Sequence, residues 1–159
     1  MTDASAVTTP LLTAFRAHDL RWLVAVPSNG LQAVYDAYEE TGRCIFATRE
    51  EEGVAIACGL RIGGQRPVVV MQQTGAGNAV NVVLSLADAY EIDFPVVVFD
   101  RTVADVNLVQ RVSSRGTARA LRALGCVDLD WTAPDAVPRF GDGVRAGRRW
   151  FLSPLPGSG

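Results

Sequence analysis

Residues 67–86 read PVVVMQQTGAGNAVNVVLSL. The run Pro67–Met71 is apolar and rich in β-branched residues, the composition of a strand buried on both faces. Gln72-Gln73-Thr74-Gly75-Ala76-Gly77-Asn78 interrupts it with amides and glycines, and from Ala79 to Tyr90 apolar residues return at helical spacing. Strand, turn and helix in that order form the repeating unit of a parallel sheet covered by helices.

The same unit recurs on either side. Apolar runs at Trp22–Val26, Cys44–Ala47, Pro95–Phe99, Gly125–Leu129 and Arg149–Leu152 bring the expected strands to six. Amphipathic stretches at Leu31–Glu40, Glu51–Ile62, Thr117–Leu124 and Pro134–Arg145 separate them, and a helix over Pro10–His18 precedes the first. The expectation is an α/β domain of three αβα layers: a doubly wound, mostly parallel six-stranded sheet filling residues 1–153, with a frayed tail at 154–159. In such a sheet the loops at the carboxyl ends of the strands share one edge, where ligands bind. The polar segment Asp100–Arg115 is unusually long for a connection and reads as a lid or partner-contacting loop.

Composition removes several classes of chemistry. The chain has 159 residues, and its 15 basic residues are all arginine, so it offers no Schiff-base lysine and no Walker-type phosphate lysine. One histidine, His18, and three widely spaced cysteines cannot assemble a metal site of zinc type. With a net charge of −2 and scattered arginines there is no basic stripe for nucleic acid, and no run is long enough to span a bilayer. Residues 1–10 lack the basic start and apolar run of a signal peptide, so a cytoplasmic protein with reduced thiols is expected.

Three segments fall on the ligand edge. Arg49-Glu50-Glu51-Glu52-Gly53 opens a helix of small residues, Val54-Ala55-Ile56-Ala57-Cys58-Gly59; acids there also simply complement the helix dipole. In Gln72–Asn78 the glycines let backbone approach a ligand, and adjacent amides can orient heterocycles or carboxylates; the alternative is a turn whose glutamines satisfy backbone groups. Val26-Pro27-Ser28-Asn29-Gly30 ends the first strand and also suits a plain helix cap. Gly141-Asp142-Gly143 follows no apolar strand and reads as a turn.

Together these segments resemble the pyrimidine-binding domain of thiamine-diphosphate-dependent 2-oxo-acid decarboxylases, in the sulfopyruvate and phosphonopyruvate decarboxylase group. Ala47–Gly59, ATREEEGVAIACG, is similar to that group's ATNEGNAVALAAG, and Met71–Leu86, MQQTGAGNAVNVVLSL, to its MQNSGLGNAVNPLLSL. The likeness runs from about Trp22 to Phe99 and continues as a compatible pattern to Leu152.

The resemblance implies the thiamine-diphosphate-binding fold and a glutamate that hydrogen-bonds N1′ of the cofactor's aminopyrimidine. Counting back nine residues from Gly59 puts that residue at Glu50, with Glu51 as the alternative one step on. A neutral carboxyl there donates to N1′ and lets the cofactor deprotonate its own C2. The resemblance also implies that Pro27, Gln73, Thr74 and Gly75 line the cofactor, and that Ser28, Asn29, Gln72 and Gln73 face the substrate. Two departures stand out. Gln73-Thr74 replace the group's Asn-Ser, and Arg111 stands where it has His after Gln, which suits a more anionic acid.

The group holds the diphosphate and Mg²⁺ through a Gly-Asp-Gly motif followed downstream by Asn. Only 16 residues follow Gly143, none of them Asn. The resemblance is therefore to the α-type subunit of a two-component decarboxylase. It implies a separate diphosphate-binding partner that binds the Mg²⁺, a shared thiamine diphosphate, paired αβ units and a small anionic 2-oxo acid. Carboligation on the same half-site and a non-catalytic regulatory role are the alternatives; a flavodoxin-like phosphate binder is disfavoured because no loop joins glycines to serine and threonine runs.

Overall fold

The structure, a computed structural model, describes residues 4–28, 30–101 and 107–154. Six strands, β1 (Trp22–Ala25), β2 (Cys44–Phe46), β3 (Pro67–Gln72), β4 (Val96–Asp100), β5 (Val127–Asp128) and β6 (Trp150–Pro154), form one sheet in the order β2-β1-β3-β4-β6-β5. Every pairing is parallel, with Leu23 opposite Val68 and Met71 opposite Val98. The expected α/β architecture is thus present. Helices α1 (Ala4–Ala17), α2 (Gln32–Glu39), α3 (Glu50–Ile62), α4 (Gln73–Val82), α5 (Leu108–Ala123) and α6 (Ala136–Arg145) complete it, a π-helical turn Val83–Asp88 extending α4.

The strands read as continuous apolar runs because both faces are covered. On one face Leu23, Ala25, Val68, Val70, Val97 and Phe99 pack against α1, α2 and α6, around the buried rings of Phe15, Trp131, Phe140 and Phe151. On the other, Val24, Val69, Met71, Val96 and Val98 pack against α3, α4 and α5. The chain leaves β1 toward β2 on one side and returns to β3 on the other, so the carboxyl ends of β1 and β3 flank a topological switch point, where a crevice opens in open α/β sheets.

Several boundaries differ from expectation. Helix α1 begins at Ala4 and includes Pro10, because Val7, Leu11, Ala14 and Phe15 form a buried stripe whose packing outweighs the hydrogen bond proline cannot donate. Helix α4 starts at Gln73, so the glycine-rich stretch is its first turn. The segment expected as one loop over Asp100–Arg115 is helical from Leu108; residues 102–106 lie outside the described residues. Gly141-Asp142-Gly143 is not a turn but the middle of α6. There a Cβ on Gly141 would come within 2.6 Å of His18 Nε2, and one on Gly143 within 2.6 Å of the Phe151 ring, so both glycines serve close packing. Strand β6 takes in Pro154, one residue beyond the expected limit, and 155–159 lie outside the described residues.

The cysteines are free. Burial pushes the Cys44 thiol up to about 11 and the Cys126 thiol up to about 12, which keeps both protonated and inert at neutral pH. Among the described residues no helix is long and apolar enough to cross a membrane.

Candidate active site

Helix α3 begins three residues beyond Ala47, just after the end of β2, and opens with Glu50, Glu51 and Glu52. Its N-terminus receives no side-chain cap from Arg49. Instead Glu52 turns back, accepting hydrogen bonds from the Thr48 amide (2.8 Å) and hydroxyl (2.5 Å), which hold its carboxyl below the usual range. Glu51 pairs with Arg49 at 2.7 Å, while its second oxygen is buried without a partner.

That leaves Glu50, half-buried, pointing to the neighbouring helix. Its carboxyl occupies the space that a side chain at Gly75 would need; a Cβ on Gly75 would fall inside the carboxyl group. Gly75 is buried in the first turn of α4. The carboxyl therefore lies between the N-termini of two helices, whose free N–H groups and dipoles favour an acceptor there. Of the two glutamates the count left open, the geometry gives Glu50 this position and commits Glu51 to Arg49.

The amides after β3 converge on a residue that sequence reading missed. Gln110 Oε1, in the first turn of α5, accepts from Gln72 Nε2 (3.0 Å), Gln73 Nε2 (2.8 Å) and Thr74 Oγ1 (2.6 Å). Gln73 is fully buried, and its own oxygen accepts from the Arg101 amide at 3.2 Å. Its polar atoms are thus satisfied by the chain itself, so here Gln73 ties β4, α4 and α5 together and does not line a surface. Ser114 makes a second tie, donating to Asp100 Oδ2 at 3.0 Å. The available signal for α5 was Asn107, whose side chain caps the helix by accepting from the Val109 amide at 2.9 Å.

Pro27 and Ser28 line a separate cleft of about 340 Å³ beside the switch point, with Gln32, Tyr35, Glu39 and Phe46. The Tyr35 hydroxyl accepts from the Ser28 amide at 3.0 Å and lies 3.3 Å from its hydroxyl, while the Tyr35 ring stacks edge-on against Phe46. Tyr35, also not singled out from sequence, fixes this loop. Asn29 lies outside the described residues. Arg111 is half-buried on α5, one residue beyond Gln110.

The structure thus brings Glu50 to Gly75, and Gln72, Gln73 and Thr74 to Gln110, at the carboxyl ends of β1 and β3. Among the described residues no group of three or more His, Cys, Asp or Glu side chains is placed to hold a metal ion.

Several known proteins are similar to this chain. The α subunit of sulfopyruvate decarboxylase from Methanothermobacter thermautotrophicus is 34% identical over 104 residues, covering 64% of this chain and 63% of that one. The protein of the same name from Methanococcus maripaludis is 30% identical over 82 residues, covering 50% and 49%. A sulfopyruvate decarboxylase from Methanosarcina acetivorans is 40% identical over 52 residues, 33% of this chain and 13% of that one. The match therefore spans less than two thirds of each relative's length. A family described as thiamine pyrophosphate enzyme, N-terminal TPP binding domain, matches residues 6–112, a stretch containing both helix starts that meet at Glu50 and Gly75. On that match the chain belongs to the thiamine pyrophosphate enzymes, as an N-terminal TPP-binding domain.

Proposed function

We propose that this chain is the pyrimidine-binding subunit of a two-component thiamine-diphosphate-dependent decarboxylase acting on a small anionic 2-oxo acid. The observation that carries the reading is the Glu50 carboxyl seated over side-chain-free Gly75 at the switch point of the sheet. A planar heterocycle needs such a place: an acid at hydrogen-bonding reach of a ring nitrogen, beside backbone bare enough for close approach. The donor set fits an aminopyrimidine, and among the described residues no group of three or more His, Cys, Asp or Glu side chains is placed to hold a divalent ion. The ion and the diphosphate fall to a partner subunit, as the name "subunit alpha" of three relatives implies for them.

When bound, thiamine diphosphate supplies a carbon that adds to the 2-oxo group and takes up the electrons released with carbon dioxide. Glu50 would hold a proton at N1′ of the pyrimidine and so set the basicity of the amino group across the ring. Gly75, free of a side chain, leaves the space that the Glu50 carboxyl takes, and Thr74 would line the ring beside it. Gln72 and the buried Gln73, held by Gln110, fix the start of α4 and with it the distance from Gly75 to Glu50. Ser28, oriented by Tyr35, faces the substrate carboxylate. Arg111 adds positive charge for a second anionic group on the acid.

The test is carbon dioxide release from 2-oxo acids by the complex reconstituted with its partner. Glu50→Gln is expected to lower turnover about 10²- to 10⁴-fold, the range for loss of a positioned proton donor. Unchanged turnover would remove the catalytic assignment in favour of a regulatory role. Free aldehyde as product supports decarboxylation; an acyloin would reassign the site to carboligation.

A further inference from the structure

At the opposite, amino edge of the sheet, beneath the starts of β3 and β4, lies a cavity of about 290 Å³ lined by Arg61, Arg66, Arg145, Arg148, His18 and Asp93 among others. Four arginines against one carboxylate is an unusual lining for a protein of net charge −2. We propose that this cavity is a binding site for a small, multiply charged oxyanion of the phosphate class, remote from the carboxyl edge where Glu50 lies.

Two of the four arginines are held in place without being neutralised. Arg66 Nη2 donates to the His18 carbonyl at 2.9 Å and Arg61 Nε to the Asp93 carbonyl at 3.0 Å, so neutral backbone oxygens fix both guanidinium groups and leave their charge uncompensated. Among the described residues neither makes an ion pair, nor does Arg148; only Arg145 is paired, with exposed Asp142 at 2.6 Å. Fixed guanidinium forks converging from separate elements suit a tetrahedral oxyanion, which accepts from several directions at once.

His18 reports the charge in this cavity. It packs over Gly141, where a Cβ would come within 2.6 Å of its Nε2 and 3.3 Å of Arg145 Nη1. Partial burial, then Arg145 and Arg66, hold its imidazole below its ordinary range. The groups facing it are Arg145 on α6, Arg66 before β3, and the other cavity residues Arg61, Arg148 and Asp93; neighbouring Asp19 is engaged by Arg21 at 2.6 Å. An anion that offsets those arginines must raise the affinity of His18 for its proton, and by reciprocity must bind more tightly as the pH falls through that titration.

Since His18 is the chain's one histidine, its Cε1–H group gives a single NMR signal. The experiment titrates the full-length protein with inorganic phosphate and with pyrophosphate at ionic strength held constant with sodium chloride. Saturable shifts of the His18 signal and an upward move of its titration midpoint are expected. The double variant Arg145→Gln/Arg148→Gln, altered at two exposed positions, should melt as the parent does. It should bind at least about tenfold more weakly, the effect of losing one charge-assisted hydrogen bond. A shift that never saturates, or equal affinity in the double variant, overturns the proposal.

Discussion

Replacing Gly75 with alanine puts one methyl group where Glu50 keeps its carboxyl, and all three carboxyl atoms would then lie closer than 3.0 Å to it. The backbone does not object, because Gly75 is in a helix and alanine there gains up to about 1 kcal/mol over glycine. The conflict is with the tip of a half-buried, flexible side chain, and displacing a Glu50 χ angle off its rotamer costs about 0.5–1.5 kcal/mol. The two nearly cancel, so the fold should keep its stability to within about 1 kcal/mol, a melting shift of at most about 4 °C. Turnover should fall about 10²- to 10⁴-fold, as for loss of the carboxyl itself. Adding Gly75→Ala to Glu50→Ala should then cost nothing more, because both changes withdraw the same group. The assay pairs carbon dioxide release by the reconstituted complex with urea denaturation of each variant. Wild-type turnover in Gly75→Ala, or losses that multiply in the double variant, would refute the claim that Glu50 acts from over Gly75.

Arg149 should matter for stability alone. Its guanidinium donates to Asp88 at 2.8 Å and to the carbonyls of Phe94 and Ile92 at 3.1 Å, and it covers the Phe94 ring, with only 11% of the side chain exposed. Arg149→Met is expected to cost about 2–3 kcal/mol and roughly 5–10 °C in melting temperature, less than a fully buried pair because Asp88 remains half exposed. A loss in urea denaturation below about 1 kcal/mol would show that the network adds nothing beyond its packing. The Glu52 carboxylate that folds back on Thr48 titrates below its ordinary range, so its stabilisation is present at neutral pH and disappears as the pH falls through the folded-state titration. Glu52→Gln should therefore be less stable than the parent at pH 7 and equal to it once the parent carboxyl is protonated; a difference that persists in acid contradicts the cap.

Much of this was readable along the chain. The six strands were legible because a sheet covered on both faces demands unbroken apolar runs, and Pro67–Met71 and Pro95–Phe99 supply them. The second half of helix α5 was legible as the amphipathic stretch Thr117–Leu124, but its first half was not, because Leu108, Val109 and Val112 face outward and so give the wrong stripe for a core-facing helix. Gln110 was missed with it: its position between Gln72, Gln73 and Thr74 depends on where α5 begins. The acid at position 50 could be counted but not separated from its neighbour by spacing alone. Only the packing of α3 on α4, with Arg49 taking Glu51, distinguishes the two. Glycines misled wherever their purpose was contact and not a turn, as at Gly141 and Gly143.

The same distinction explains why the site and its sequence signature cannot be parted. Helices α3 and α4 run side by side, and apart from Val54 and Gln73 the residues they bury are small: Gly53, which faces the sheet, Ala57 and Cys58 on one, Gly75, Ala76 and Ala79 on the other. Short side chains let the two helices approach, and that approach brings the first turn of one under the acid of the other. A larger residue at Ala57 or Ala76 would do what a methyl at Gly75 does, from further away, by wedging the helices apart and withdrawing Glu50 from the glycine it covers; overpacking of this kind typically costs 1–3 kcal/mol. The small residues that look like featureless helix in ATREEEGVAIACG and QQTGAGNAV are thus the positioning apparatus for one carboxyl group. On the proposed role of Glu50, chemistry and packing constrain the same positions.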